Sequence, residues 1–209
     1  MHRSDLTEKE YNALLSRIVP IILKKGLKST TMDIVATSIG MSKRTLYEIF
    51  ESKSNLLKEV LAAFEQQNQA HYTSIFEKAD NVMEAFVEVF KYTRDVIGSL
   101  NAAFYRDMDR LYKSNKADYE KTRELHHERM ARMYELGVRQ EMFRADVDYS
   151  VQSRMIGLQM EALKRTEELF PPNISIQRVF DSIILGFLRS IASPKGMTVL
   201  DKLTHELIK

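Results

Sequence analysis

The chain has 209 residues, 44% of them hydrophobic and 29% charged, the proportions of a globular protein long enough to bury a sizeable core in one or two domains. It contains no cysteine, which excludes disulfides and thiolate metal sites, and no basic-then-apolar stretch of the signal-peptide kind, so the cytoplasm is the expected location. The net charge of +2 is uneven: residues 1–58 hold ten Lys and Arg against six acids, a local +4 that leaves −2 for the rest.

A basic end on a neutral-to-acidic body suits phosphate binding, and it also suits an ordinary solvated surface. No apolar run approaches the length of a membrane span, since even Val179 to Ile191 is interrupted by Asp181 and Arg189. Seven Gly and four Pro are few, and helix-forming residues dominate, so the expected fold is all-α.

The first helix opens at Thr7 with Glu10 three residues on, a capping box, and Leu6 and Tyr11 are placed for a hydrophobic staple. Tyr11, Leu14, Leu15, Ile18, Ile22 and Leu23 then follow the rhythm of an amphipathic helix, which Gly26 closes. Pro20 deletes a backbone donor inside that helix and predicts a kink. A second helix of two to three turns starts at Thr30-Thr31 and ends at Gly40. Ser42 caps a third, through Phe50, and Ser52 a longer fourth carrying Leu56, Leu57, Val60, Leu61 and Phe64. Further helices are expected over 54–77 (the fourth), 80–99, 101–113, 115–137, 147–169 and 175–192, with a shorter one near 198–207. The breaks between them are Asp80-Asn81, Gly98-Ser99, Ser114-Asn115, Gly137 and Phe170-Pro171-Pro172-Asn173.

Two short helices joined by a Gly-containing turn form a helix-turn-helix unit, whose second helix enters the major groove N-terminus first. Its first turn presents Lys43, Arg44 and Thr45, donors suited to base edges or phosphate, and Tyr47 and Glu48 follow. Leu46, Ile49 and Phe50 form the inward stripe, so reading and folding use different faces.

Residues Thr30 to Leu61 closely resemble the TetR family signature. The resemblance rests on Thr-Thr-Met-Asp-Ile-Val-Ala from Thr30, Gly-Met-Ser-Lys-Arg-Thr-Leu-Tyr from Gly40, and Phe-Glu-Ser-Lys-Ser-Asn-Leu-Leu from Phe50. It implies an N-terminal three-helix DNA-binding domain (residues 1–53), a C-terminal helical ligand-binding and dimerisation domain (54–209), and a homodimer on double-stranded, near-palindromic operator DNA. It further implies Thr31, Ser42, Tyr47 and Lys53 near phosphates, and Lys43, Arg44 and Thr45 near bases. Thr31 and Ser42 have a structural alternative, helix capping alone. Repression, relieved by a small hydrophobic effector, is the usual outcome in the family. Pro20 and Arg44 depart from its pattern.

The stripe of Val179, Phe180, Ile183, Ile184, Phe187, Leu188 and Ile191 is wide for one helix to hide within its own chain. With the helix of Val151, Met155, Leu158 and Ala162 it predicts a four-helix dimer bundle, which Gly186 would let approach closely, or else a buried core helix. Phe104, Met108, Met130, Tyr134 and Met155 are candidates for a pliable apolar ligand pocket, although methionine at helical spacing also serves as core. No catalytic motif, cofactor loop or metal set stands out. His126 and His127 point about 100° apart on a helix and are poorly placed to share a metal. The rival to a DNA reader is a helical module whose basic end meets an acidic protein. Steep salt dependence with base discrimination separates the first from the second.

Overall fold

The computed structural model describes residues 2–100, 104, 107, 116–163 and 165–205. A 3-10 turn, Arg3–Asp5, precedes α1 (Glu8–Lys25), α2 (Met32–Ile39), α3 (Lys43–Phe50), α4 (Lys53–Lys78), α5 (Val82–Ser99), α6 (Lys116–Arg139), α7 (Tyr149–Leu163), α8 (Thr166–Leu169), α9 (Ile176–Ile191) and α10 (Pro194–Thr204). The fold is all-α: among the described residues there is no strand, only an isolated antiparallel bridge between Phe143 and Ala192. No helix among them is long and apolar enough to cross a membrane. The chain divides into two compact units, residues 1–72 with 99–110, and 73–98 with 111–209.

In the first unit, local chemistry sets each helix end. Thr7 accepts the Glu10 amide, and the Glu10 carboxylate accepts both the hydroxyl and the amide of Thr7, two bonds that hold that carboxyl below its ordinary pKa. α1 runs through Pro20 without a break, with the ring on its exposed side. Its buried face of Tyr11, Leu14, Leu15, Ile18, Val19 and Ile22 packs with Val35, Leu46, Phe50, Leu56 and Phe104 into one core. That packing keeps the helix intact despite the missing donor.

In the second unit, Met83, Val87, Tyr134, Phe143, Leu188, Ile191 and Leu200 make the core. The helix expected over 115–137 continues to Arg139, because Gly137 is no stop. It lies against the Phe143 ring, where a Cβ would come within 2.0 Å, and its carbonyl accepts the amides of Met142 and Phe143. The helix expected over 147–169 is divided into α7 and α8. Thr166 turns its hydroxyl onto the Leu163 carbonyl and the Arg165 amide bonds to Ala162, so the regular ladder is interrupted. The C-terminal helix begins earlier than expected, since Ser193 caps it and Pro194 occupies the first helical position, where its lost donor costs nothing. Of the helix expected over 101–113, only Phe104 and Asp107 are described, both helical.

Candidate nucleic-acid interface

The interface is built by α2, α3 and the turn between them. Thr31 caps α2, its hydroxyl accepting the Ile34 amide at 3.2 Å. Thr30 is buried instead and donates to the Gly26 carbonyl. Gly40 ends α2 in the left-handed region (φ 69°), with its amide turned back onto Ala36 and Thr37. A Cβ there would meet nothing, so backbone conformation alone calls for glycine. Ser42 then caps α3, accepting the Thr45 amide at 3.0 Å, with its hydroxyl 2.7 Å from that of Thr45. Arg17 donates to the Ile39 carbonyl, fixing α1 to the end of α2.

α3 is sharply two-faced. Leu46, Ile49 and Phe50 are buried, whereas Lys43, Arg44 and Tyr47 are exposed and Thr45 is half-buried. Both cations carry acidic partners that the sequence reading did not assign. Lys43 Nζ meets Asp33 of α2 at 2.8 Å, and that hydrogen bond holds the Lys43 ammonium above its ordinary pKa; Arg44 Nε meets Glu48 at 2.9 Å. The second pair is legible from its four-residue spacing. The first spans two helices and is not. Lys53 lies at the first position of α4 and donates to the Lys28 carbonyl at 3.0 Å. The structure thus brings Ser42, Lys43, Arg44, Thr45 and Tyr47 together on one short helix, with Thr31 capping its partner helix.

Of the five pocket candidates, four are described, and Met155 lines an apolar groove. Phe104 belongs to the core of the first unit, and Met108 lies outside the described residues. Tyr134 is fully buried in the second core, with Met130 packed at that core's edge, and burial pushes the Tyr134 hydroxyl above its usual pKa. Met155 is half-exposed on α7. The aromatic neighbours of Tyr134, including Phe86, Phe143, Tyr149 and Phe187, fill the space around it as core.

Much of the wide stripe of α9 is buried within the second unit, Phe180 against Phe90 of α5 and Phe187, Leu188 and Ile191 in the second core with Val179 also buried, while Ile183 and Ile184 are partly exposed. What remains uncovered belongs mainly to α7, where Val151, Met155 and Leu158 are exposed at 49%, 49% and 72%. Beside them runs an apolar groove of about 630 Å³ between α7 and α9, lined by Ile156, Val179, Ile183, Gly186 and Phe187 among others. His127 contacts the Ser153 hydroxyl at 3.0 Å, and no metal-binding cluster occurs among the described residues.

A capped two-turn helix, packed by one face and bearing cations, hydroxyl and phenol on the other, defines a helix-turn-helix DNA-binding regulator. The family model for bacterial regulatory proteins of the tetR family matches residues 14–60. The sequence is also 29% identical to the HTH-type transcriptional repressor KstR2 of Mycolicibacterium smegmatis over 147 residues, 68% of this chain and 72% of that one. The N-terminal segment is thus similar to the DNA-binding domain of the TetR family. Solved structures share the fold. A transcriptional regulator from Saccharomonospora viridis in complex with choline aligns with a TM-score of 0.69 at 15% identity, covering 89% of this chain and 100% of that one. The TetR-family regulator CifR, solved as a cysteine variant with 26-base-pair operator DNA, aligns with a TM-score of 0.58 at 16% identity, covering 86% and 95%.

Proposed function

We propose that this chain is a one-component repressor that grips a near-palindromic operator as a homodimer and is released by a small hydrophobic ligand. The observation that carries the reading is the outward face of α3, where Lys43, Arg44 and Tyr47 are exposed and Thr45 half-buried on a helix whose other face is core. Residues 1–53 read the DNA and residues 54–209 carry dimerisation and ligand response. Lys43, Arg44 and Thr45 reach base edges in the major groove. Thr31, Ser42, Tyr47 and Lys53 fix the register on phosphates, the two caps doing so while they hold their helices. Lys53 spends one of its three donors on Lys28 and keeps two for the backbone of the duplex.

The second copy covers the α7 face. Val151, Met155 and Leu158 recur at four and three residues, the spacing of one helix stripe, and the adjoining groove offers the recess into which a facing stripe packs. Two-fold pairing then offers two copies of α3 to two half-sites. Ligand release requires that the effector favour a conformation in which those two helices no longer match the operator spacing. The relatives named as repressors support repression as the outcome.

Four alanine variants test the reading. Tyr47→Ala and Lys53→Ala weaken binding to every duplex alike. Lys43→Ala and Arg44→Ala relax preference at particular base pairs, by about 1–3 kcal/mol each where the contact is bidentate. Competition titrations with single-base operator variants separate the two patterns. Wild-type affinity and wild-type selectivity in all four variants would refute the assignment.

A further inference from the structure

The positive charge of the N-terminal segment does not sit on the reading element. Between Thr30 and Ser52 the only cations are Lys43 and Arg44, against Asp33, Glu48 and Glu51, so the helix-turn-helix itself is −1. The excess lies in its flanks, at residues such as Lys24, Lys25, Lys28, Lys53 and Lys58. Two of the three acids are aimed at the two cations, at 2.8 Å and 2.9 Å. Both cations are exposed even though Glu48 is half-buried, and ion pairs with so exposed a partner add little to folding stability. Their effect must therefore be sought in what the cations do next.

We propose that Asp33 and Glu48 are specificity-determining residues, holding Lys43 and Arg44 for base edges and withholding them from the phosphates of non-operator DNA. The inference rests on the DNA-reading function proposed above. Glu48 takes the Nε donor of Arg44, which leaves both terminal amino groups free to meet guanine O6 and N7. Asp33 takes one donor of Lys43 and leaves two. On the operator each pair is retained while the remaining donors find base acceptors. On other sequences those acceptors are missing, each cation is already neutralised, and the carboxylates repel any phosphate that approaches. The flanking lysines then supply weak binding everywhere, while α3 adds affinity only where the bases match.

Wild-type protein, Asp33→Asn, Glu48→Gln and the charge-matched Glu65→Gln on α4 are titrated by fluorescence anisotropy. The two duplexes are the fragment upstream of the chain's own coding region and a shuffled version, at about 50 to 300 mM salt. The expected result is that Asp33→Asn and Glu48→Gln each bind the shuffled duplex roughly three- to tenfold more tightly. Each should also steepen the shuffled duplex's salt slope by about 0.9, one more phosphate neutralised. Affinity for the upstream fragment should not rise in step, and Glu65→Gln should leave the ratio unchanged. A gain of binding cannot be produced by misfolding. Unchanged shuffled affinity in both variants, or an equal rise on both duplexes shared by Glu65→Gln, would overturn the proposal. A wild-type protein that does not discriminate the two duplexes would instead remove the DNA-reading function beneath it.

Discussion

Lys28 is held on both sides of its own residue: its amide donates to the buried carboxylate of Asp107 at 2.9 Å, and its carbonyl accepts from Lys53. These bonds fix the loop that delivers Thr31 to the start of α2. Asp107→Ala leaves the Lys28 amide without its acceptor, and the expected loss is about 1–3 kcal/mol of stability in the first unit, read as a lower urea midpoint for unfolding of that unit. An unchanged midpoint would mean that water replaces the carboxylate at no cost. The contrast with Thr7, Thr31 and Ser42 explains what was legible. A cap is satisfied within three residues, so its residue type and spacing announce it, whereas Asp107 and Lys28 are 79 positions apart and nothing local links them. The same reasoning covers Lys43 with Asp33, whose two helices must first be folded against each other.

At the scale of elements, the short helices around the turn were legible because capping hydroxyls, Gly26 and Gly40 punctuate them. The second unit was read less well because its glycines serve packing rather than termination. Gly137 lies inside α6 against Phe143, and Gly196 lies inside α10, where a Cβ would come within 1.9 Å of the Met142 carbonyl oxygen. That carbonyl also accepts the Ser193 amide, so it cannot withdraw freely. Gly196→Ala is therefore expected to cost about 3 kcal/mol, the upper end for overpacking, despite alanine's better helix propensity. Thermal unfolding checks it, and a midpoint at or above that of the wild type would show that the loop at Met142 yields to α10. The width of the α9 stripe left two readings open for a related reason. Periodicity states how much of a helix must be covered, and only the tertiary arrangement states whether the chain's own helices or a second copy do the covering.

At the scale of the whole molecule, the chain carries a basic DNA-reading end and a helical body whose uncovered apolar stripe on α7 suits a second copy. The ligand is the part least legible in the sequence, because the methionines and aromatic residues that would line a pocket are the same types that fill a core. Tyr134 does the latter, with its ring 4.8 Å from that of Tyr149. The measurement that bears most directly on the central claim is the anisotropy of labelled duplex, upstream fragment against shuffled, titrated with wild-type protein at several salt concentrations. The account predicts tight, steeply salt-dependent binding to the upstream fragment, saturating at two chains per half-site pair, and binding to the shuffled duplex weaker by about a thousandfold or more. Equal, weak binding to both would contradict it and reduce the basic end to generic charge.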